Sequence, residues 1–116
     1  KAGAAVVVCC IPEKAHKKMA EYAVIDSTLA SENILLAAEA LGLGAIWTAA
    51  YPYPDRMEYV RSILDIPPEV IPLNVIPIGH PTGEDKPKEK FNTKVIHCET
   101  WKNSGMSLSF LRKMVK

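Results

Sequence analysis

Eight consecutive apolar residues, Ala4-Ala5-Val6-Val7-Val8-Cys9-Cys10-Ile11, stand before Pro12 and leave the start of this chain few conformations to choose from. Three adjacent valines are stiff at χ1 and favour extended backbone. An apolar run with no polar interruption predicts a central strand covered on both faces, and Pro12 ends it. Behind Lys1 the same run also resembles the apolar core of a signal peptide. No small-x-small cleavage site follows it, only the helix-forming stretch Glu13 to Met19, so the strand reading is kept.

Residues 13 to 23 predict a short solvated helix, and a stronger one comes next. Asp26-Ser27-Thr28 offer capping oxygens, Leu29 to Leu41 are mostly good helix formers, and Gly42 supplies a left-handed stop. Ala30, Ala37, Ala38 and Ala40 keep side-chain bulk low, which predicts a helix buried on most sides, in a core or at a subunit interface. Gly44 to Ala50 is a second strand, leading through Tyr51-Pro52-Tyr53 to a helix opened by Pro54. Met57, Val60 and Leu64 mark one face of that helix, and Pro67-Pro68 end it. Leu73 to His80 is a third strand. Pro77 lacks the N–H a ladder needs, so this strand is expected at an edge or with a bulge. Beyond it lie a polar stretch (82–94), a short extended piece (95–98) and a weakly amphipathic helix (106–116). The order strand–helix–helix–strand–helix–strand predicts α/β or α+β, with helices covering a sheet.

Charge and cysteine usage exclude whole classes of function. Fourteen Lys and Arg against 13 Asp and Glu leave a net charge of +1, so neither nucleic acid nor an anionic membrane is the expected partner. The longest uncharged apolar run, 2–12, is too short to span a bilayer. Three cysteines, two of them adjacent, do not make a disulfide framework, which places the chain in a reducing, cytoplasmic setting.

The sequence contains no phosphate-binding glycine loop, no zinc-protease motif and no nucleophile elbow. Cys9, Cys10, His97 and Cys98 are soft ligands without zinc spacing, and buried thiols explain them better. His16 reads as solvated. His80 ends a strand beside Gly79 and Pro81, where ligands often sit, although a turn histidine needs no such role. Lys86, Lys88 and Lys90 share one side of an extended segment. They read either as a phosphate grip or, with Glu84, Asp85 and Glu89 interleaved, as a solvated loop.

The run from Ser31 to Thr48, SENILLAAEALGLGAIWT, is closely similar to the middle of nitroreductase-family flavoproteins. The similarity continues through Tyr51-Pro52, Arg56-Met57-Glu58, Pro67, Val75-Ile76-Pro77-Ile78-Gly79-His80-Pro81, Pro87-Lys88-Glu89-Lys90-Phe91 and the segment His97 to Trp101. The resemblance implies an α+β fold with an antiparallel or mixed sheet flanked by helices, built as an intertwined homodimer with FMN at each subunit boundary. It implies hydride transfer from NADH or NADPH through the flavin to a nitro compound, quinone or similar acceptor. A backbone N–H at Thr48, Ala49 or Ala50 is then expected to meet flavin N5, and small side chains there let backbone and ring approach. Lys88 and Lys90 fall on the basic pair beside the FMN phosphate, with Gly79 and His80 nearby.

The family's arginine-rich N-terminal stretch has no counterpart here, where the arginines are Arg56, Arg61 and Arg112. The chain therefore reads as a single partial domain, 1–116, incomplete relative to the family and resembling it over 1–101, with a divergent tail at 102–116. Lys88 and Lys90 alone would leave an FMN phosphate poorly neutralised. Two alternatives stand beside the oxidoreductase: a catalytically silent dimerisation module built on the small-residue helix, and a metal- or thiol-based redox protein using Cys9, Cys10 and Cys98.

Overall fold

The computed structural model describes residues 2–83, 88–97, 100–102 and 105. The chain divides into two compact units, Lys1–Gly83 and Glu84–Lys116. The first holds strand β1 (Ala4–Cys10), helix α1 (Ala20–Ala40), strands β2 (Gly44–Ala45) and β3 (Thr48–Ala49), helix α2 (Pro54–Leu64) and strand β4 (Ile71–Gly79). Every pairing is antiparallel and runs through β4, with β1 on one side and β2 and β3 on the other. The α+β expectation is met.

The two long strands exchange the places expected of them. β1 pairs only with β4 among the described residues, and Ala4, Ala5 and Val6 are exposed, so β1 lies at an edge. β4 is central because its nine residues reach past β1, β2 and β3 alike. Pro77 does not push it outward. β2 and β3 share one register, Gly44 opposite Gly79 and Thr48 opposite Val75. Ile46 therefore falls opposite Pro77, whose missing N–H leaves the gap between the two short strands. β4 is irregular elsewhere, at Leu73, where the pairing with β1 steps from Val8–Asn74 to Cys9–Pro72.

The helix expected over 13–23 is instead two 3₁₀ turns, Pro12–Lys14 and His16–Lys18. Lys17 and Lys18 adopt φ of 52° and 56°, which breaks the spiral before α1 begins at Ala20. Asp26-Ser27-Thr28 lie inside α1 rather than at its start. Thr28 Oγ1 donates to the Val24 carbonyl at 2.7 Å and Ser31 Oγ to the Ser27 carbonyl at 2.8 Å, so these hydroxyls are absorbed by the turn before them. Gly42, at φ 70°, ends the helix as expected, and Leu43 N–H reaches back to the Ala38 carbonyl.

Only Ala23, Ser31 and Ala38 of α1 are buried, at spacings of eight and seven that keep them on one face, against the sheet. Burial on most sides is not found within this chain. On the opposite face Tyr22, Ile25, Leu29 and Leu36 are exposed, the two leucines by 63% and 60%. α1 is thus apolar on two sides.

α2 starts with Pro54 as expected and stops at Asp65, which takes the left-handed conformation. Asn74 of β4 faces α1, since its Nδ2 donates to Ser31 Oγ at 2.8 Å. Val75, next along the strand, points to the opposite face and shares a concavity with α2. The sheet is therefore covered by one helix on each face. Cys10, Ala50, Leu73 and Ile76 fill the core between.

In the second unit Thr93–Val95 form a 3₁₀ turn capped by Asn92, which takes Val95 out of the extended piece expected over 95–98, while Ile96 is extended. The His97 ring stacks on Trp101 at 4.2 Å, and its Nδ1 pairs with the Trp101 carbonyl at 2.6 Å. Cys98 and the helix expected over 106–116 fall outside the described residues.

Candidate functional site

Sequence reasoning singled out Thr48, Ala49 and Ala50, and the structure gathers all three on one wall of a cavity of about 550 Å³. The opposite wall is α2, through Asp55, Arg56, Tyr59 and Val60, and Val75 of β4 forms the floor. Alanine and valine make this an apolar recess, the usual composition of a site for a flat organic ring.

The ladder decides which backbone groups the wall can offer. Ala50 N–H donates to the Leu73 carbonyl at 3.0 Å, and Tyr51 N–H donates to the same oxygen at 2.9 Å. Along an antiparallel strand, residues alternate between facing the partner strand and facing away from it. Thr48 shares the inward parity of Ala50; Ala49 has the other. Ala49 N–H therefore points away from β4, on an edge with no further strand among the described residues. Its carbonyl, on the same edge, accepts from Arg56 Nη1 at 3.3 Å. Of the three amides, Ala49 alone is left as a donor to something outside the sheet. Small side chains at 49 and 50 keep it approachable.

Gly79 and His80 do not line this recess. Gly79 pairs with Gly44 at the far end of β4, five residues and roughly 17 Å along the strand from Asn74. His80 follows it, exposed. Lys88 and Lys90 are exposed residues of the second unit.

Asp55, Arg56, Tyr59 and Val60 were not among the expected site residues. The signal was present, since 55 and 59, like 56 and 60, are four apart and share a helix face. Of these, Val60 lies on the apolar face 57, 60 and 64, and the other three flank it.

Cys9 and Cys10 border a shallower hollow of about 260 Å³ with Lys14, Asp26 and Ser27. Burial pushes both thiols above their ordinary value; the charge of Arg61 opposes this at Cys9, and the Ser27 hydroxyl at Cys10. Neutral thiols are poor nucleophiles and poor metal ligands. No three His, Cys, Asp or Glu side chains cluster as metal ligands among the described residues.

The profile of the Nitroreductase family matches residues 1–80. The chain belongs to the nitroreductase family. A protein of Methanothermobacter thermautotrophicus named "Putative NADH dehydrogenase/NAD(P)H nitroreductase" is 44% identical over 97 residues, covering 84% of this chain and 50% of that one. A crystal structure of the same name from Parabacteroides distasonis superposes with a TM-score of 0.76 at 48% identity, over 84% of this chain and 55% of that one. An FMN-dependent nitroreductase from Clostridium difficile R20291 gives a TM-score of 0.75 at 26% identity, over 86% and 59%. The chain thus spans about half the length of these nitroreductase relatives. The similarity expected from the Ser31–Thr48 run and the Pro-Ile-Gly-His-Pro strand end is confirmed at the level of family and fold. No helix among the described residues is long and apolar enough to cross a membrane.

Proposed function

We propose that this chain supplies one wall of the flavin site in an FMN-dependent oxidoreductase. That enzyme would take hydride from NADH or NADPH and deliver it to a nitro compound, a quinone or a similar acceptor. The observation that carries the reading is the Ala49 N–H, an unused donor beside a ring-sized apolar recess. FMN, when bound, supplies the hydride-accepting and hydride-donating ring. The protein's part is to orient that ring with the Ala49 donor, exclude water with Ala50, Val60 and Val75, and neutralise the phosphate. Gly79, His80, Lys88 and Lys90 are assigned to the cofactor by resemblance alone.

FMN titrated into the 116-residue chain should shift the flavin absorbance band and move the amide resonance of Ala49. Ala49→Pro removes the one N–H that β3 does not spend on β4, so the ladder should survive while the flavin shift is lost. Unchanged flavin binding by Ala49→Pro, with the fold intact by circular dichroism, overturns the assignment of this amide.

The outer face of α1 favours a second reading, a dimerisation module without catalysis. Tyr22, Ile25, Leu29 and Leu36 form an apolar stripe of the kind a second copy would cover. A tight dimer by sedimentation with no flavin uptake would favour that reading. Flavin uptake would make the dimer part of the enzyme.

A further inference from the structure

The three arginines are not alike. Arg61 is a strap, its Nη2 donating to the Val70 carbonyl at 2.9 Å and the Pro68 carbonyl at 3.3 Å. Arg112 lies outside the described residues. Arg56 stands at the mouth of the 550 Å³ recess with its guanidinium carbon 4.3 Å from the centre of the Tyr53 ring. Among the described residues its single hydrogen bond goes to the Ala49 carbonyl. A guanidinium carries five N–H donors in a planar fork, so four remain. No carboxylate pairs with it among the described residues, even though Asp55 is its neighbour in the chain and borders the same recess.

A strap needs its donors; a group held by stacking, with most of its donors unspent, is arranged to meet something else. The stacking on Tyr53 and the bond to Ala49 hold the fork in place, reducing the ordering cost of binding. The first turn of α2, where Arg56 stands, adds the positive end of the helix dipole. Asp55 opposes both. Behind the fork the walls are apolar.

We propose that the recess binds planar aromatic carboxylates, with the ring against the Val60 and Val75 wall and the carboxylate on the Arg56 fork. This is a statement about binding to the flavin-free chain and stands without the flavin reading, so the two fail separately.

The test uses the whole 116-residue chain without flavin and measures dissociation constants by ligand-observed NMR. The probes are para-nitrobenzoate, its neutral amide para-nitrobenzamide, and acetate. One exposed, salt-screened charge-assisted contact predicts that the carboxylate binds about ten-fold tighter than the amide. Acetate, without a ring, should not displace it at equal concentration. Arg56→Gln keeps a donor for the Ala49 carbonyl but loses the charge, and should erase the ten-fold preference. Arg56→Lys should keep part of it, and Asp55→Asn should enlarge it. Equal binding of carboxylate and amide, a preference that survives Arg56→Gln, or equal competition by acetate overturns the proposal. If the chain takes up no flavin yet prefers the carboxylate through Arg56, the flavin reading fails and this one holds.

Discussion

Asn74 offers the sharpest test of the packing, because one of its two polar atoms is unmatched. The residue is fully buried, at 0% exposure, between β1 and β3. Nδ2 donates to Ser31 Oγ, which in turn donates to the Ser27 carbonyl, while Oδ1 has no partner among the described residues. A satisfied buried hydrogen bond contributes about 1 kcal/mol, and an orphaned acceptor costs about 1–3 kcal/mol. The amide is therefore close to neutral as it stands. Asn74→Val removes the bond and the orphan together, and Ser31 keeps its bond to Ser27. Stability should change by less than about 1 kcal/mol. Ser31→Ala, on paper the milder substitution, strands Nδ2 as well and should cost about 2 kcal/mol. In urea unfolding followed by circular dichroism, that cost lowers the midpoint by roughly 1 M. The double variant should resemble Asn74→Val, giving a coupling of about 2 kcal/mol. If Asn74→Val lowers the midpoint as much as Ser31→Ala, Oδ1 is satisfied in solution and the reasoning fails.

Leu29→Glu with Leu36→Glu should leave the helix content of the chain unchanged and weaken self-association at least roughly 100-fold by sedimentation equilibrium, from about 1.5 kcal/mol of lost burial at each site. Wild-type and variant chains that sediment alike would remove α1 from the dimer interface. Gly42→Ala places a Cβ at φ 70° and should cost about 1 kcal/mol in the same urea assay, with nothing crowded in space to add to it. The raised thiols of Cys9 and Cys10 give a pH dependence of defined sign. Below their ordinary value of 9.0 both states are protonated and stability is unaffected. As pH rises through that value the unfolded chain ionises first, so stability falls toward the folded-state values. Replacing both cysteines with alanine should flatten the decline, and a decline that persists unchanged would assign it to other groups.

Much of this is legible in the sequence. Pro54 and Gly42 act within a residue or two of themselves, through a fixed φ and a missing Cβ, and both behave as read. Thr48, Ala49 and Ala50 are singled out by the family resemblance, with small size at 49 and 50 visible in the letters, and all three line the recess. Other features depended on partners the letters do not name. The hydroxyls of Ser27, Thr28 and Ser31 suit a cap or a helix interior equally, and only the left-handed Lys17 and Lys18 set the helix start at Ala20. Pro77 forfeits one ladder bond and so points to an edge or a bulge; β4 is central, and its irregularity opposite β1 lies at Leu73 instead. In a central strand that forfeit costs one bond, opposite Ile46, and divides the facing segment into β2 and β3. Which amide among 48, 49 and 50 is left over depends on ladder parity, set by the pairing with β4, and no local pattern reveals it.

The gap at Pro77 has a consequence for how the recess is held. A continuous ladder from Gly44 to Ala49 would open and close as one unit, so disturbance at the Gly79 turn would loosen the recess wall as well. With no bond at Ile46, the two ends of that segment unzip separately. Amide exchange at Gly44 and at Ala50, both of which face β4, should therefore respond independently to changes near Pro81. The wall that carries the Ala49 donor is insulated from the Gly44 end of the same segment.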